Sequence, residues 1–182
     1  MISVTRTEIA EVLIVEPRVF RDPPGFFIKS YNRRAFRDAT GIDLEFVQGN
    51  HSRSVRNVLR GLHYQVRQPQ GKLVRATAGE IWDVAVDLRR HSATFGKWVA
   101  TTLDASSARC LWIPAGFAHG FLVLSESAEV QYKATDYYAP EHERTLLWND
   151  PALAISWPLA GEPVMTDKDR RGTLLANAET FA

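Results

Sequence analysis

The sequence predicts an all-β fold, a sandwich or a barrel, and three observations carry that prediction. Along Ile81-Trp82-Asp83-Val84-Ala85-Val86-Asp87-Leu88, the apolar residues Trp82, Val84, Val86 and Leu88 fall on every second position. That spacing lines one face of a strand. Further short apolar runs recur at near-regular intervals. Turn residues separate them, as in Gln70-Gly71, Ala78-Gly79-Glu80, Pro114-Ala115-Gly116 and Ser125-Glu126-Ser127. Many short strands punctuated in this way form a sandwich or barrel rather than a series of βαβ units.

The elements follow in order. Asn32-Arg33-Arg34-Ala35-Phe36-Arg37 reads as a short helical turn capped by Asn32. Val58 to Gln65 and Gln70 to Arg75 are strand-like apolar segments with Arg60, His63 and Lys72 embedded in them. Cys110 to Ile113, Leu122 to Leu124 and Val130 to Lys133 are further short strands. Pro114 to Phe121 reads as a turn-rich loop between strands, and Asp167 to Ala182 as a short helix. With no linker, internal repeat or low-complexity segment, residues 1–182 read as one domain.

Composition narrows the function classes. Hydrophobic residues make up 45% of the chain, enough to bury a core. The formal net charge of +1 is no footprint for nucleic acid, so any phosphate recognition must be local. The single cysteine, Cys110, excludes an internal disulfide and a cysteine-rich zinc site, and its apolar neighbours predict a buried, inert thiol. No apolar run approaches the ~18 residues of a membrane span, and Met1 to Ala10 lacks the basic-then-apolar order of a signal peptide. The expectation is a cytoplasmic protein with neither a membrane nor a nucleic-acid partner.

Arg60, His63 and Lys72 are groups that a strand core does not need. A barrel lumen is where strands can aim them at a ligand. On a regular strand, however, residues 60 and 63 point to opposite faces. A bulge at Gly61 would bring them to one side. Other polar residues carry weaker signals. Tyr132 shares a face with Val130 and fits an ordinary core position. Tyr137-Tyr138 fits either ligand stacking or surface packing. His119, beside Gly120, fits a ligand contact or a turn cap. Asp169 sits in the charged run Thr166 to Arg170 and matters only if that run folds back to a histidine. His63 lacks a second histidine at His-x-His spacing, and His51, His91 and His142 lie in loop-like contexts. A metal site is therefore not expected.

Taken together, the ordered segments resemble the dTDP-4-dehydrorhamnose 3,5-epimerase family. They are Gly25-Phe26-Phe27, Ser30-Tyr31-Asn32, Gln48 to Ser52, Val58 to Gln65, Gln70 to Arg75, Asp83 to Asp87, Trp112 to Phe121, Tyr132 to Tyr138 and Trp148 to Pro151. The resemblance runs from Phe20 to Arg170. It implies a cupin-type jelly-roll β-barrel with short peripheral helices, no metal or other cofactor, and a homodimer. It implies epimerisation of a nucleotide-diphosphate 4-keto-6-deoxy sugar at C3, C5 or both.

By that resemblance, His63 is the general base and Asp169 its orienting carboxylate. Lys72 stabilises the enolate oxygen, and Tyr132 is the acid that reprotonates the opposite face. Arg60 contacts the diphosphate and His119 the substrate. Gln48 and Asn50 lie near the nucleotide, and Tyr138 stacks on its base. Glu143, Lys168, Phe20, Phe27 and Lys29 complete the binding set. Two positions depart from the family pattern: Pro24 stands where an arginine is usual, and Lys29 where an acidic residue is usual. Both belong to the nucleotide end, so a CDP- or GDP-linked sugar is an alternative, as is inversion at one carbon. A non-catalytic sugar-nucleotide-binding barrel is the alternative of another class, and the acid-base set argues against it. A metal-dependent oxygenase barrel is weakened by the missing ligand spacing.

Overall fold

Alternation along the chain resolves into strands held in two antiparallel sheets. The computed structural model describes residues 2–182. The strands are β1 (Ile2–Arg6), β2 (Leu13–Pro17), β3 (Val19–Asp22), β4 (Gly25–Ile28), β5 (Gln48–Val55), β6 (Leu59–Gln65) and β7 (Lys72–Ala78). They continue as β8 (Glu80–Asp87), β9 (Trp98–Asp104), β10 (Cys110–Ile113), β11 (Phe117–Val123), β12 (Ser127–Ala134) and β13 (Glu143–Thr145). One sheet runs β1-β2-β10-β7-β12-β5 and the other β13-β6-β11-β8-β9, while β3 and β4 form a separate hairpin. The two large sheets make the jelly-roll barrel that the resemblance implies.

The core sits between these sheets. Val74, Leu111, Ile113 and Val130 of the first meet Ile81, Leu103, Phe117 and Phe121 of the second. Each such side chain contributes about 1.5–3 kcal/mol by leaving water. The other face of β8 is buried too. Val84, Val86 and Leu88 pack under Leu146, Leu153 and Trp157, so residues after β13 fold back over the five-stranded sheet. The indole N–H groups of Trp98 and Trp157 donate to the carbonyls of Leu153 and Trp148 and fasten that cover.

The helix expected after Asn32 is α1 (Arg33–Thr40). The Asn32 side chain accepts from the Ala35 N–H at 2.9 Å, and Gly41 ends the helix at φ +77°. Its one buried residue, Phe36, meets Tyr31, Phe46 and Trp112.

Two expectations need correction. Pro114 to Phe121 is not a loop, because β11 begins at Phe117 and every residue of it is buried. Its small residues serve close strand packing instead: a Cβ on Gly120 would lie 2.6 Å from the Arg60 carbonyl oxygen. The segment from Asp167 is α-helical for one turn only, α2 (Asp167–Arg170), with a separate 3-10 turn at Leu175–Asn177. Beyond it a Cβ on Gly172 would lie 2.4 Å from the Leu146 carbonyl oxygen. Thr173 and Phe181 then form bridges to Leu146 and Arg89, which take the backbone away from a helix.

The bulge at Gly61 is present. His119 pairs with His63 and Phe121 with Arg60, so two steps along β11 oppose three along β6. Leu59, Leu62 and Tyr64 consequently face the outer cluster, while Arg60 and His63 both face the barrel interior. Gly61 sits at φ +112°, and a Cβ there would lie 2.6 Å from both Gly120 Cα and the His119 carbonyl oxygen. Gly61→Ala should therefore destabilise the fold by at least about 2 kcal/mol, since it combines a left-handed backbone with a clash. Thermal denaturation checks this; a variant as stable as the parent would show that the bulge tolerates a side chain.

Candidate active site

One cavity of about 330 Å³ opens between the two sheets, and most of the residues singled out above line it. Arg60 and His63 reach it from β6, His119 from β11 and Glu143 from β13, all strands of the five-stranded sheet. Lys72 from β7, Tyr132 from β12 and Asn50 from β5 reach it from the six-stranded sheet. Tyr138, more than half exposed, stands at its rim.

His63, Arg60 and Glu143 each have a partner that fixes them. His63 Nε2 meets Asp169 Oδ1 at 2.5 Å, and Asp169 is buried. The charged run Thr166 to Arg170 thus does fold back to a histidine. Burial alone would raise the Asp169 carboxyl, but hydrogen bonding with His63, its charge, and further donors from Thr166 and the Gly61 backbone hold it below the ordinary range. The bond leaves His63 Nδ1 without a protein partner among the described residues. Arg60 donates from Nε to Ser54 Oγ at 2.9 Å, which aims the rest of the guanidinium into the cavity.

Lys72 opens β7 at a buried position. Burial pushes its amine down to about 8, while the carboxylates of Glu143 and Asp83 act to hold it up. Tyr132 packs against the barrel core, and burial pushes its hydroxyl up. Nearby Glu143 adds to that rise and Arg60 opposes it. The hydroxyl has no protein hydrogen-bond partner among the described residues.

Glu143 gathers the rim. It accepts a short bond from Lys168 Nζ and a 2.9 Å bond from the Tyr138 hydroxyl. Burial would raise its carboxyl, but those donors and the charge of His63 hold it low. Gln48 sits just behind the wall: its amide donates to Asn50 Oδ1, and its own oxygen accepts the Tyr138 N–H.

Some expected residues lie elsewhere. Phe20, Phe27 and Lys29 are on or beside the β3–β4 hairpin and do not line this cavity. Phe20 and Phe27 are exposed. His51 belongs to strand β5 rather than a loop and pairs with Glu129 at 3.0 Å. Cys110 is buried, and its thiol is pushed up to about 11 by burial, as an inert core residue requires.

Sequence reasoning missed Asp83 and Ser54. Asp83 is fully buried and accepts from His119 Nε2 at 3.0 and 2.9 Å. A signal existed: the alternation that puts Trp82 and Val84 on one face puts a carboxylate on the other. Ser54 gave none, because a serine at a polar strand position is unremarked until a guanidinium reaches it.

A base on one wall, a weak acid on the opposite wall and a cation beside them can move protons across a bound carbon acid. Comparison with known proteins points the same way. The chain matches the family model described as dTDP-4-dehydrorhamnose 3,5-epimerase over residues 6–177. It is 62% identical to the dTDP-4-dehydrorhamnose 3,5-epimerase of Pseudomonas aeruginosa, with 97% of this chain and 98% of that protein covered. It is 53% identical to that of Salmonella typhimurium, with 98% of each covered. The fold superposes with a TM-score of 0.96 on the dTDP-6-deoxy-D-glucose-3,5-epimerase of Legionella pneumophila, solved in complex with dTDP-4-keto-L-rhamnose. That protein is 47% identical, with 98% of this chain and 95% of the other covered. On this evidence the chain belongs to the dTDP-4-dehydrorhamnose 3,5-epimerase family.

Proposed function

We propose that the chain epimerises dTDP-4-dehydro-6-deoxy-D-glucose to dTDP-4-dehydro-L-rhamnose. One observation carries the proposal: His63 with Asp169 and Tyr132 enter one cavity from opposite sheets. Inversion of a carbon needs removal of a proton on one face and return on the other, and that arrangement supplies both.

In this reading His63 Nδ1 takes the proton from the carbon beside the 4-ketone. The C–H electron pair becomes the enolate double bond, and the carbonyl pair moves onto oxygen. Lys72 stabilises that oxygen, a preorganised contact worth about 3 kcal/mol for one good donor. The Tyr132 hydroxyl then protonates the opposite face, and its raised pKa keeps the proton available at neutral pH. Proton exchange with water resets both groups. Arg60 holds the diphosphate and positions the sugar from a distance. Asn50, Gln48, Glu143, Lys168 and Tyr138 shape the nucleotide side, with Tyr138 at the rim as the stacking platform. A nucleotide sugar draws on intracellular nucleotide pools, so the cytoplasm is the compartment this reading implies.

We read the assembly as a homodimer. Phe20, Phe26 and Phe27 are exposed on a hairpin outside both large sheets. On the outward face of the six-stranded sheet, Arg75 has Nε and Nη1 buried with no acceptor among the described residues. A second copy would cover those rings and supply an acceptor. It would also give Phe20, Phe27 and Lys29 a neighbouring cavity to serve. Sedimentation should return about twice the chain mass of 20.5 kDa; a monomer at assay concentration would remove this part of the reading.

The reaction is tested in deuterated water. Solvent deuterium should enter C3, C5 or both of the dTDP-4-keto sugar, and reading each carbon separates double from single inversion. His63→Ala should slow exchange by ~10³-fold, within the range for lost acid-base catalysis, while dTDP still binds. No exchange by the parent chain with dTDP-, CDP- or GDP-linked ketosugars would defeat the enzymatic reading.

Lys72 sets a pH expectation. Its amine is charged below about 8 and neutral above it. The exchange rate should therefore fall as pH rises through about 8, and Lys72→Arg, which stays charged, should remove that limb. An alkaline limb unchanged in Lys72→Arg would assign it to another group.

A further inference from the structure

The cavity holds a second histidine–carboxylate pair, and its geometry differs from the first in one respect. His119 pairs directly with His63 across β11 and β6, so the two side chains emerge side by side on the same face. Each imidazole uses Nε2 to bond a buried carboxylate, Asp169 for His63 and Asp83 for His119. The carboxylates are not equally served. Asp169 also draws on Thr166 and the Gly61 backbone. Asp83 is fully buried, and among the described residues its side chain accepts from His119 alone, through both oxygens. A buried carboxylate with one partner needs that partner's positive charge or must itself take a proton.

We propose that Asp83 is a positioning residue that holds His119 as an imidazolium, so that its Nδ1–H donates to the ketone oxygen beside Lys72. This rests on the epimerase reading above and assigns the pairs different tasks: His63 takes the proton, and His119 stays charged and steadies the oxygen. Chemistry supports the division. The carbon that loses its proton is one bond from the carbonyl carbon, so the donor to the oxygen must stand next to the base, as His119 does. Nδ1 of His119 has no protein acceptor among the described residues, and His119 lines the cavity. Asp83 itself does not reach the cavity wall. Burial raises the Asp83 carboxyl above its ordinary range, with His119 and Lys72 opposing that rise, and Lys72 lines the same cavity as His119. The other titratable groups around His119 are His63 with Asp169, Arg60 on β6, Tyr132 on β12 and Glu143 on β13.

The charge state is read without substrate, so this proposal can fail while the epimerase reading stands. Nitrogen-15 spectra of the labelled chain, with His119→Gln used to assign the signals, should show both His119 ring nitrogens protonated at pH 7. In Asp83→Asn, whose amide oxygen can still accept from Nε2–H, His119 should show the neutral pattern. That variant should also slow deuterium exchange by ~10²-fold, the scale of one lost oxyanion donor, with dTDP affinity within about twofold of the parent. A merely structural role for Asp83 would instead lower affinity and thermal stability and leave the His119 signals protonated. A neutral His119 in the parent chain at pH 7 overturns the proposal without recourse to any variant. So does an Asp83→Asn chain that keeps the imidazolium or full exchange activity.

Discussion

One extra residue in β6 governs the site. Strand alternation alone would send Arg60 and His63 to opposite faces, one into the lumen and one under the outer cover. The three-against-two register with β11 turns both inward and leaves Leu59, Leu62 and Tyr64 to the outer core. Glycine is needed on both strands at that point, because Gly61 and Gly120 approach too closely for a side chain on either. The same shift sets His63 directly opposite His119, so the pairing of the two histidines and the inward aim of the guanidinium have one cause.

Burial of charge is the second constraint. The cavity lies between apolar sheets, where an unpaired ion is costly. Carboxylates stand behind both histidines, and Glu143 ties Lys168 and Tyr138 at the rim. These contacts do more than compensate charge. They fix which imidazole nitrogen faces the cavity and hold the groups in place there. Among the described residues Lys72 has no such hydrogen-bonded partner, and its lowered pKa records the cost of its burial.

Much of this was legible in the sequence for identifiable reasons. Period-two alternation marked β8, and its opposite face hid Asp83. Asn32 marked the start of α1 because a side-chain cap acts within three residues. Signals from distant partners were not legible. Asp169 gained meaning only when the residues after β13 covered the five-stranded sheet and carried it to His63. The small residues of Ala118-His119-Gly120 looked like a loop because the need for bare backbone comes from a neighbouring strand rather than from a turn. The one-turn length of α2 was set by bridges to Leu146 and Arg89 that no local propensity records.

By itself, the sequence determined β6, β7, β8, β10 and β12, the helix cap, the inert cysteine and, through an ordered set of motifs, the family. These depend on local periodicity, on composition and on residues that recur in order. Tertiary structure decided which polar groups share a cavity, which wall each one occupies and which carboxylate stands behind each histidine. Strand register and sheet closure set those relations between residues as far apart as His63 and Asp169. A shift of one residue at Gly61 would reverse the faces of everything beyond it.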